Sequence, residues 1–305
     1  TSSISENPKI RFTELRLIFP LAEPVQVGAV KSTMPRGEPL TCATLNLSWE
    51  ANSTTRLNPT AFRNVPAENR VPKRAPDSPF SEAYRISANT LLKAGPDVIL
   101  LQEFSVPVAL CSEIEDAIEV TNRILFNSKY GVVASKLIRF NDTWFGNLVL
   151  VSASKAASYD FLDLQAADYY SYFKHHRFNS GRPLAAAVMY TKGNPASPIM
   201  LLCSAHSAHH MQWGYKHSQR ALSKIVKESI AAYMHSFQQP LPIDFSGMGV
   251  LFGGDLNTTV RNPCKWGRAV TIDVFGEKFT FYKAASPSVQ QATLTTDKSQ
   301  VPRDW

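Results

Sequence analysis

Four short segments of this 305-residue chain end an apolar run on a polar or charged side chain. They are Asn46 in TLNLSWE, Gln102–Glu103 in DVILLQEF, His206 in LLCSAHSAHH, and Asp255–Leu256–Asn257 in VLFGGDLN. A carboxylate in such a place must be paired, hydrated or bound to metal. Taken together, these residue types suit phosphodiester hydrolysis. That reaction needs a divalent ion to neutralise the phosphoryl oxygens, a base to activate water, and donors for the developing charge. A hard ion such as Mg2+ (or Mn2+) takes oxygen ligands, often one or two carboxylates plus water. Glu103 can be such a ligand, and Asp255 can orient or deprotonate the attacking water. Asn46 and Asn257 supply amides that hold metal, water or phosphate without adding charge. His206 can donate a hydrogen bond to the phosphate. His206, His209 and His210 also form a His-x-x-His-His string. Zinc would want further ligands of defined geometry, so one catalytic His followed by two loop histidines is the preferred reading.

The elements that must position these residues are legible from hydrophobic periodicity. Thr41–Leu47 reads as a strand, and Ser81–Ala94 as a helix with Tyr84, Ala88, Leu91 and Leu92 on one face. Gly95–Pro96 stops that helix. The continuous apolar run 97–101 suits a strand covered on both faces. Ser112 and Glu115 are placed to form a capping box for a second helix, whose inner stripe is Ile114, Ile118, Thr121 and Leu125. Strands are expected at 130–134, 147–152, 184–190, 198–204 and 249–254. An amphipathic helix is expected over 216–237, with Leu222, Ile225, Val226, Ser229 and Tyr233 inward. Residues 1–37 read as an extended arm or extra edge strands. Residues 258–303 read as polar and Gly/Pro-punctuated. Strands mixed with a few helices indicate an α/β sandwich, and the active segments fall at strand ends, where sites in α/β sheets lie.

With 44% hydrophobic and 19% charged residues, the chain can bury one large core or two modest ones. Thirty-two Lys and Arg against 25 Asp and Glu leave a net charge of +7, which favours polyanionic partners such as nucleic acid. Residues 51–80 carry Pro59, Pro66, Pro72, Pro76 and Pro79 with Arg56, Arg63, Arg70, Lys73 and Arg74, a basic loop or insertion. Residues 169–178 interleave aromatic and basic groups, a pattern that stacks bases or simply packs on the core. Cys42, Cys111, Cys203 and Cys264 form no CxxC pair and read as free thiols. No apolar run approaches the ~20 residues of a membrane span. Glu6, Lys9, Arg11, Glu14 and Arg16 interrupt the start, which is therefore no signal peptide. The expectation is an intracellular protein of unassigned compartment and oligomeric state. Asn-x-Ser/Thr at Asn46, Asn52, Asn141 and Asn257 would then carry no meaning.

The order N…QE…GN…RP…H…GDLN…DW resembles the endonuclease/exonuclease/phosphatase superfamily of metal-dependent phosphodiesterases, from about Thr41 to Trp305. The resemblance implies one domain over 38–305 with a basic Pro-rich insertion near 51–80. It also implies a DNase I-like four-layer α/β sandwich, two packed mixed β-sheets flanked by helices. Asn46 falls at the family's first-strand Asn and Glu103 at its metal-binding Glu, so both are implied metal-site residues. Gly146–Asn147 resembles the Gly-rich strand start and Arg182 the Arg that opens the next strand. With His209, Asn147 and Arg182 are the implied substrate contacts. His206, Asp255 and Asn257 fall on the family's catalytic positions. Asp304 resembles the strand-start Asp that buttresses a catalytic His. Ser204–Ala205 stands where the family has an Asn before that strand-end His. The family's final Ser-Asp-His motif is not in the chain, so it is expected beyond Trp305. The implied activity is a Mg2+- or Mn2+-dependent endonuclease or exonuclease. The alternatives are a phosphoinositide or sphingomyelin phosphodiesterase, or a truncated, non-catalytic binding module.

Overall fold

Period-two burial sorts the apolar side chains of each strand onto two faces, and that sorting builds the architecture. The computed structural model describes residues 11–15, 25–30, 40–52, 73–75, 78–140, 142–164, 174–175, 178–181, 184–206, 215–237, 242–245, 248–255, 258–259, 269–274, 277–282 and 303–304. In chain order the elements are β1 (Arg11–Leu15), β2 (Val25–Val30), β3 (Leu40–Asn46), α1 (Glu82–Ala94), β4 (Val98–Pro107), α2 (Ile114–Val120), β5 (Tyr130–Phe140) and β6 (Thr143–Ser152). They continue with α3 (Ala153–Ser158), β7 (Tyr159–Asp163), β8 (Lys174–His175), β9 (Phe178–Gly181), β10 (Leu184–Thr191), β11 (Asn194–His206) and α4 (Tyr215–His235). The last are β12 (Gly249–Asp255), β13 (Thr258–Thr259), β14 (Ala269–Val274), β15 (Glu277–Tyr282) and β16 (Arg303–Asp304).

Two mixed sheets result. One has six strands in the order β1-β2-β3-β4-β6-β5, and the other has four in the order β12-β11-β10-β7. Each contains one parallel pair, β3 with β4 and β11 with β12. Between the sheets, Leu40, Leu100, Val149 and Val151 meet Ala187, Met189 and Leu202. The outer face of the first sheet packs Leu45, Ile99, Leu101 and Leu148 against Tyr84, Ala88 and Leu91 of α1 and Ala117 of α2. The outer face of the second packs Val188, Leu201 and Cys203 against Leu222, Ile225, Val226 and Tyr233 of α4. Helix, sheet, sheet, helix is the expected four-layer sandwich. Each fully buried Leu of these layers contributes about 1.5–3 kcal/mol, so Leu91→Ala in α1 would cost about 2–5 kcal/mol.

Local signals set most element ends. Ser81 caps α1, its hydroxyl accepting the Tyr84 N–H, and Gly95 ends the helix in the left-handed conformation with its N–H on the Leu91 carbonyl. The second helix is capped one residue later than expected. Glu113, not Ser112, is its N-cap, and Asp116 reaches back to the Glu113 N–H and the Ser112 hydroxyl, each at 3.3 Å. Strands β4, β5, β6 and β11 run longer than their apolar cores suggest, because ladder bonds extend past the buried stretch into polar residues. Within 258–303, β14 and β15 pair as a hairpin, with Ile272 and Val274 buried between exposed Thr271 and Asp273. Asn52 is buried, its amide donating to the Pro79 and Ser105 carbonyls, which is no place for a glycan. Cys42, Cys111 and Cys203 are buried free thiols, while Cys264 lies outside the described residues. Burial pushes the Cys42 thiol up to about 12, with the nearby Asp97 charge adding to it. Among the described residues, no helix is long and apolar enough to cross a membrane.

Candidate active site

The two parallel pairs set the site, one in each sheet. In the first, Asn46 at the end of β3 sits in register beside Gln102 of β4. In the second, His206 at the end of β11 sits beside Asp255 at the end of β12. The pairs meet across the sandwich, where His206 Nδ1 lies 3.3 Å from Glu103 Oε1. His206 is 1% exposed and the Glu103 side chain 13%, so the carboxylate keeps one open edge.

Glu103 reaches this position only because β4 breaks its own alternation. Ile99 and Leu101 face the helix layer, while Leu100 faces the second sheet and Gln102 bonds across to it. Strict period two would send Glu103 to the helices and Phe104 between the sheets. Instead the pairing with β6 jumps from Leu101↔Leu148 to Phe104↔Gly146, so that Gln102 and Glu103 together oppose Asn147 alone. This is a β-bulge, which re-aims side chains. Glu103 takes φ 51°, a left-handed conformation uncommon outside glycine. Parity is thereby reversed. Phe104 and Val106 join the helix-side cluster, and Glu103 turns toward His206. The apolar run was expected to stop at Glu103, but it bulges there and continues to Pro107.

Backbone and side-chain donors hold these groups. The Leu47 N–H donates to the Gln102 carbonyl at 2.9 Å, and the Ser48 N–H to Asn46 Oδ1 at 2.9 Å. The Trp49 N–H donates to Glu103 Oε2 at 3.4 Å. Beneath them runs a polar link between the sheets. Gln102 Nε2 donates to Ser204 Oγ at 2.9 Å and the Leu100 carbonyl at 3.0 Å. The Ser204 hydroxyl donates to the Leu101 carbonyl at 2.7 Å, and Asn147 Nδ2 donates to the Ser204 carbonyl at 3.1 Å. The Gln102, Ser204 and Asn147 side chains are all buried, and buried polar networks of this kind help fix one arrangement of the elements that carry them. The strand bearing His206 is thus tied to the strand bearing Glu103 one turn of alternation below the site.

Of the residues singled out in the sequence, Asn46, Glu103, Asn147 and His206 converge here. Asp255 is placed by its strand register only, beside His206. Asp304 pairs with Thr258 between β16 and β13, three residues beyond Asp255. Arg182, His209 and Asn257 lie outside the described residues, as does the basic stretch 53–72. Among the described residues, no three His, Cys, Asp or Glu side chains cluster into a complete metal cage. The donors present, a carboxylate with an open edge and an amide oxygen on the adjacent strand, suit a hard cation that keeps part of its water. Sequence reasoning missed Gln102, Ser204, Tyr84, Asn52 and Ser105 as supports of the site. Gln102 beside Glu103 was the one available signal, since a buried amide at a strand end needs partners.

No protein-family model matches the chain, and no curated protein matches it. Several solved structures are similar to it at low identity. ANGEL2, described as a 2',3'-cyclic phosphatase in complex with adenosine-2',3'-vanadate, matches at 13% identity and a TM-score of 0.36, covering 63% of this chain. A humanized D. rerio TDP2 matches at 15% identity and a TM-score of 0.36, covering 76% of this chain and 69% of that one. An endonuclease/exonuclease/phosphatase from Beutenbergia cavernae matches at 15% identity and a TM-score of 0.31, covering 61% of this chain and 45% of that one. The chain spans about half the length of the ANGEL2 structure, 49% of it.

Proposed function

We propose that this chain is a divalent-metal-dependent phosphodiester hydrolase that acts on nucleic acid. The observation that carries the reading is the β4 bulge, which turns the Glu103 carboxylate onto His206 where the two parallel strand pairs meet. A strained, mostly buried carboxylate facing a buried His and flanked by Asn46 is costly to build and is what a phosphate-handling centre needs. Glu103 and Asn46 would hold Mg2+ or Mn2+, which when bound neutralises phosphoryl oxygens.

Asp255 takes the proton of the attacking water, whose oxygen forms the new bond to phosphorus. The opposite ester P–O bond breaks, and its electron pair leaves with the departing oxygen, which takes up a proton. His206 supplies a hydrogen bond to a phosphoryl oxygen, and the buried Asn147 amide fixes the floor beneath it through Ser204. The net charge of +7 favours a polyanionic substrate over a neutral one.

The test compares labelled single-stranded and duplex oligonucleotides with vesicles containing phosphoinositide or sphingomyelin, all with Mg2+. Oligonucleotide cleavage is expected, with binding that weakens steeply as salt rises. Asp255→Ala is expected to slow cleavage by roughly 100-fold or more. Cleavage confined to the vesicles would overturn the substrate, and an undiminished Asp255→Ala would overturn the base.

A further inference from the structure

Where β4 bulges and its partner β3 has ended at Asn46, a side chain meets two backbone groups of β4, the Glu103 carbonyl and the Ser105 N–H. One atom serves both. The Tyr84 hydroxyl, in the first turn of α1, donates to the Glu103 carbonyl at 3.1 Å and accepts the Ser105 N–H at 3.1 Å. Ser105 Oγ lies 3.3 Å from the same hydroxyl, but its own proton goes to the Trp49 carbonyl at 2.9 Å. The single Tyr84 proton then has two acceptors in reach, and the Glu103 carbonyl at 3.1 Å is nearer than Ser105 Oγ at 3.3 Å. Trp49 closes the circuit, since its N–H is the donor to the Glu103 carboxylate.

The hydroxyl is itself held in place. The Tyr84 ring is buried and packs against Phe80 and Phe104, with ring centroids 6.4 Å and 6.3 Å away. The start of α1 is pinned from behind. The Ser81 hydroxyl donates to the Ala51 carbonyl at 2.5 Å, and the Ser81 N–H to Asn52 Oδ1 at 2.7 Å. Asn52 Nδ2 reaches the Ser105 carbonyl at 2.7 Å, and Arg74 donates to the Asn52 carbonyl at 2.6 Å. Residues on either side of the basic stretch thus converge on the back of the bulge. A non-glycine residue keeps a left-handed backbone only where its surroundings over-determine it, and here the surroundings are this circuit.

We infer that Tyr84 is the positioning residue of the metal ligand: its hydroxyl locks the bulge that aims the Glu103 carboxylate into the site. The inference rests on the reading of Glu103 as a metal ligand. Partners that orient a ligand rather than touch the metal typically change affinity by about 10–100-fold when removed. A tyrosine serving only the core would leave that affinity alone.

The experiment is calorimetric titration of the 305-residue chain with Mn2+, beside Tyr84→Phe and Glu103→Gln, with thermal unfolding to confirm that each is folded. Tyr84→Phe keeps the ring and is expected to bind Mn2+ about tenfold more weakly. If Tyr84→Phe does not fold, 4-aminophenylalanine at this position keeps the donor to Glu103 but accepts poorly from Ser105. It is then expected to bind severalfold more weakly than the unaltered chain. Unaltered Mn2+ affinity in whichever folded variant is measured overturns the inference. Glu103→Gln separates the two failures. If it loses Mn2+ while the Tyr84 variant does not, only the role of Tyr84 falls. If it too binds as before, the Glu103 reading falls and takes Tyr84 with it.

Discussion

Gly254→Ala is the substitution whose cost the geometry states most directly. Gly254 precedes Asp255 in β12 and lies in register beside Ala205 of β11, one step before the His206–Asp255 pair. Its φ is 148°, a region side-chain-bearing residues avoid, and an added Cβ would fall on the Ala205 carbonyl oxygen with the carbonyl carbon 2.8 Å away. Backbone cannot rotate aside, so the two strands must part where the site is assembled. Strain in this region of backbone space costs about 1–3 kcal/mol, and overpacking adds about 1–3 kcal/mol more. The sum, about 2–6 kcal/mol, is a large part of an ordinary stability of about 5–15 kcal/mol. Urea unfolding followed by circular dichroism should show it. With a slope of about 3 kcal/mol per molar, the midpoint falls by about 0.7–2 M. Gly253→Ala is the internal comparison. Its Cβ would sit at ordinary contact from Thr44 and too close only to the Leu100 Cδ1 methyl, at 2.6 Å, the far end of a side chain that can swing away, so the cost should be about 1 kcal/mol. A Gly254→Ala protein as stable as the parent, or a Gly253→Ala protein that is the less stable of the two, would refute this reasoning.

Other expectations follow from the same geometry. Ser204→Ala removes the hydroxyl that joins Gln102 to the Leu101 carbonyl; it should lower unfolding free energy by about 1–3 kcal/mol, checked by the same denaturation assay, and an unchanged midpoint would contradict the inter-sheet role. Burial, with the Asp97 charge adding to it, pushes the Tyr130 hydroxyl up to about 12, against about 10 in an unfolded chain. The folded state therefore holds the proton more tightly. The contribution is fully present below pH 10 and is lost as pH rises through 12. Tyr130→Phe, which also loses the 2.6 Å bond to the Pro96 carbonyl, should be less stable at pH 9 but decline less steeply toward pH 12; parallel stability–pH curves would count against this.

The layers of the fold were legible because burial follows period. The stripe of Tyr84, Ala88 and Leu91, the run 98–101 and the inner face of α4 all pack as their spacing predicts. The convergence of Asn46, Glu103 and His206 was legible only as a set of strand ends in a family-like order. What brings Glu103 to His206 was not legible, since a bulge is a tertiary event with no fixed residue signature. Read by alternation alone, Glu103 belongs on the helix side. Tyr84 was hidden for a related reason. Its ring satisfies the helical stripe, so nothing in the spacing shows that its hydroxyl works on a neighbouring strand. Ser204 was read as a departure from the family's Asn, yet its small hydroxyl fits the distance between the sheets and joins both.

The central claim is that Glu103, carried over by the bulge, serves metal-dependent cleavage of a phosphodiester. It is tested most directly by the initial rate of oligonucleotide cleavage as a function of Mg2+ concentration, in the parent chain and in Glu103→Gln. The account predicts saturable Mg2+-dependent cleavage in the parent, abolished by chelation, and a loss of roughly 100-fold or more in Glu103→Gln at every Mg2+ concentration. Cleavage indifferent to Mg2+, or a Glu103→Gln curve that overlays the parent's, would contradict it.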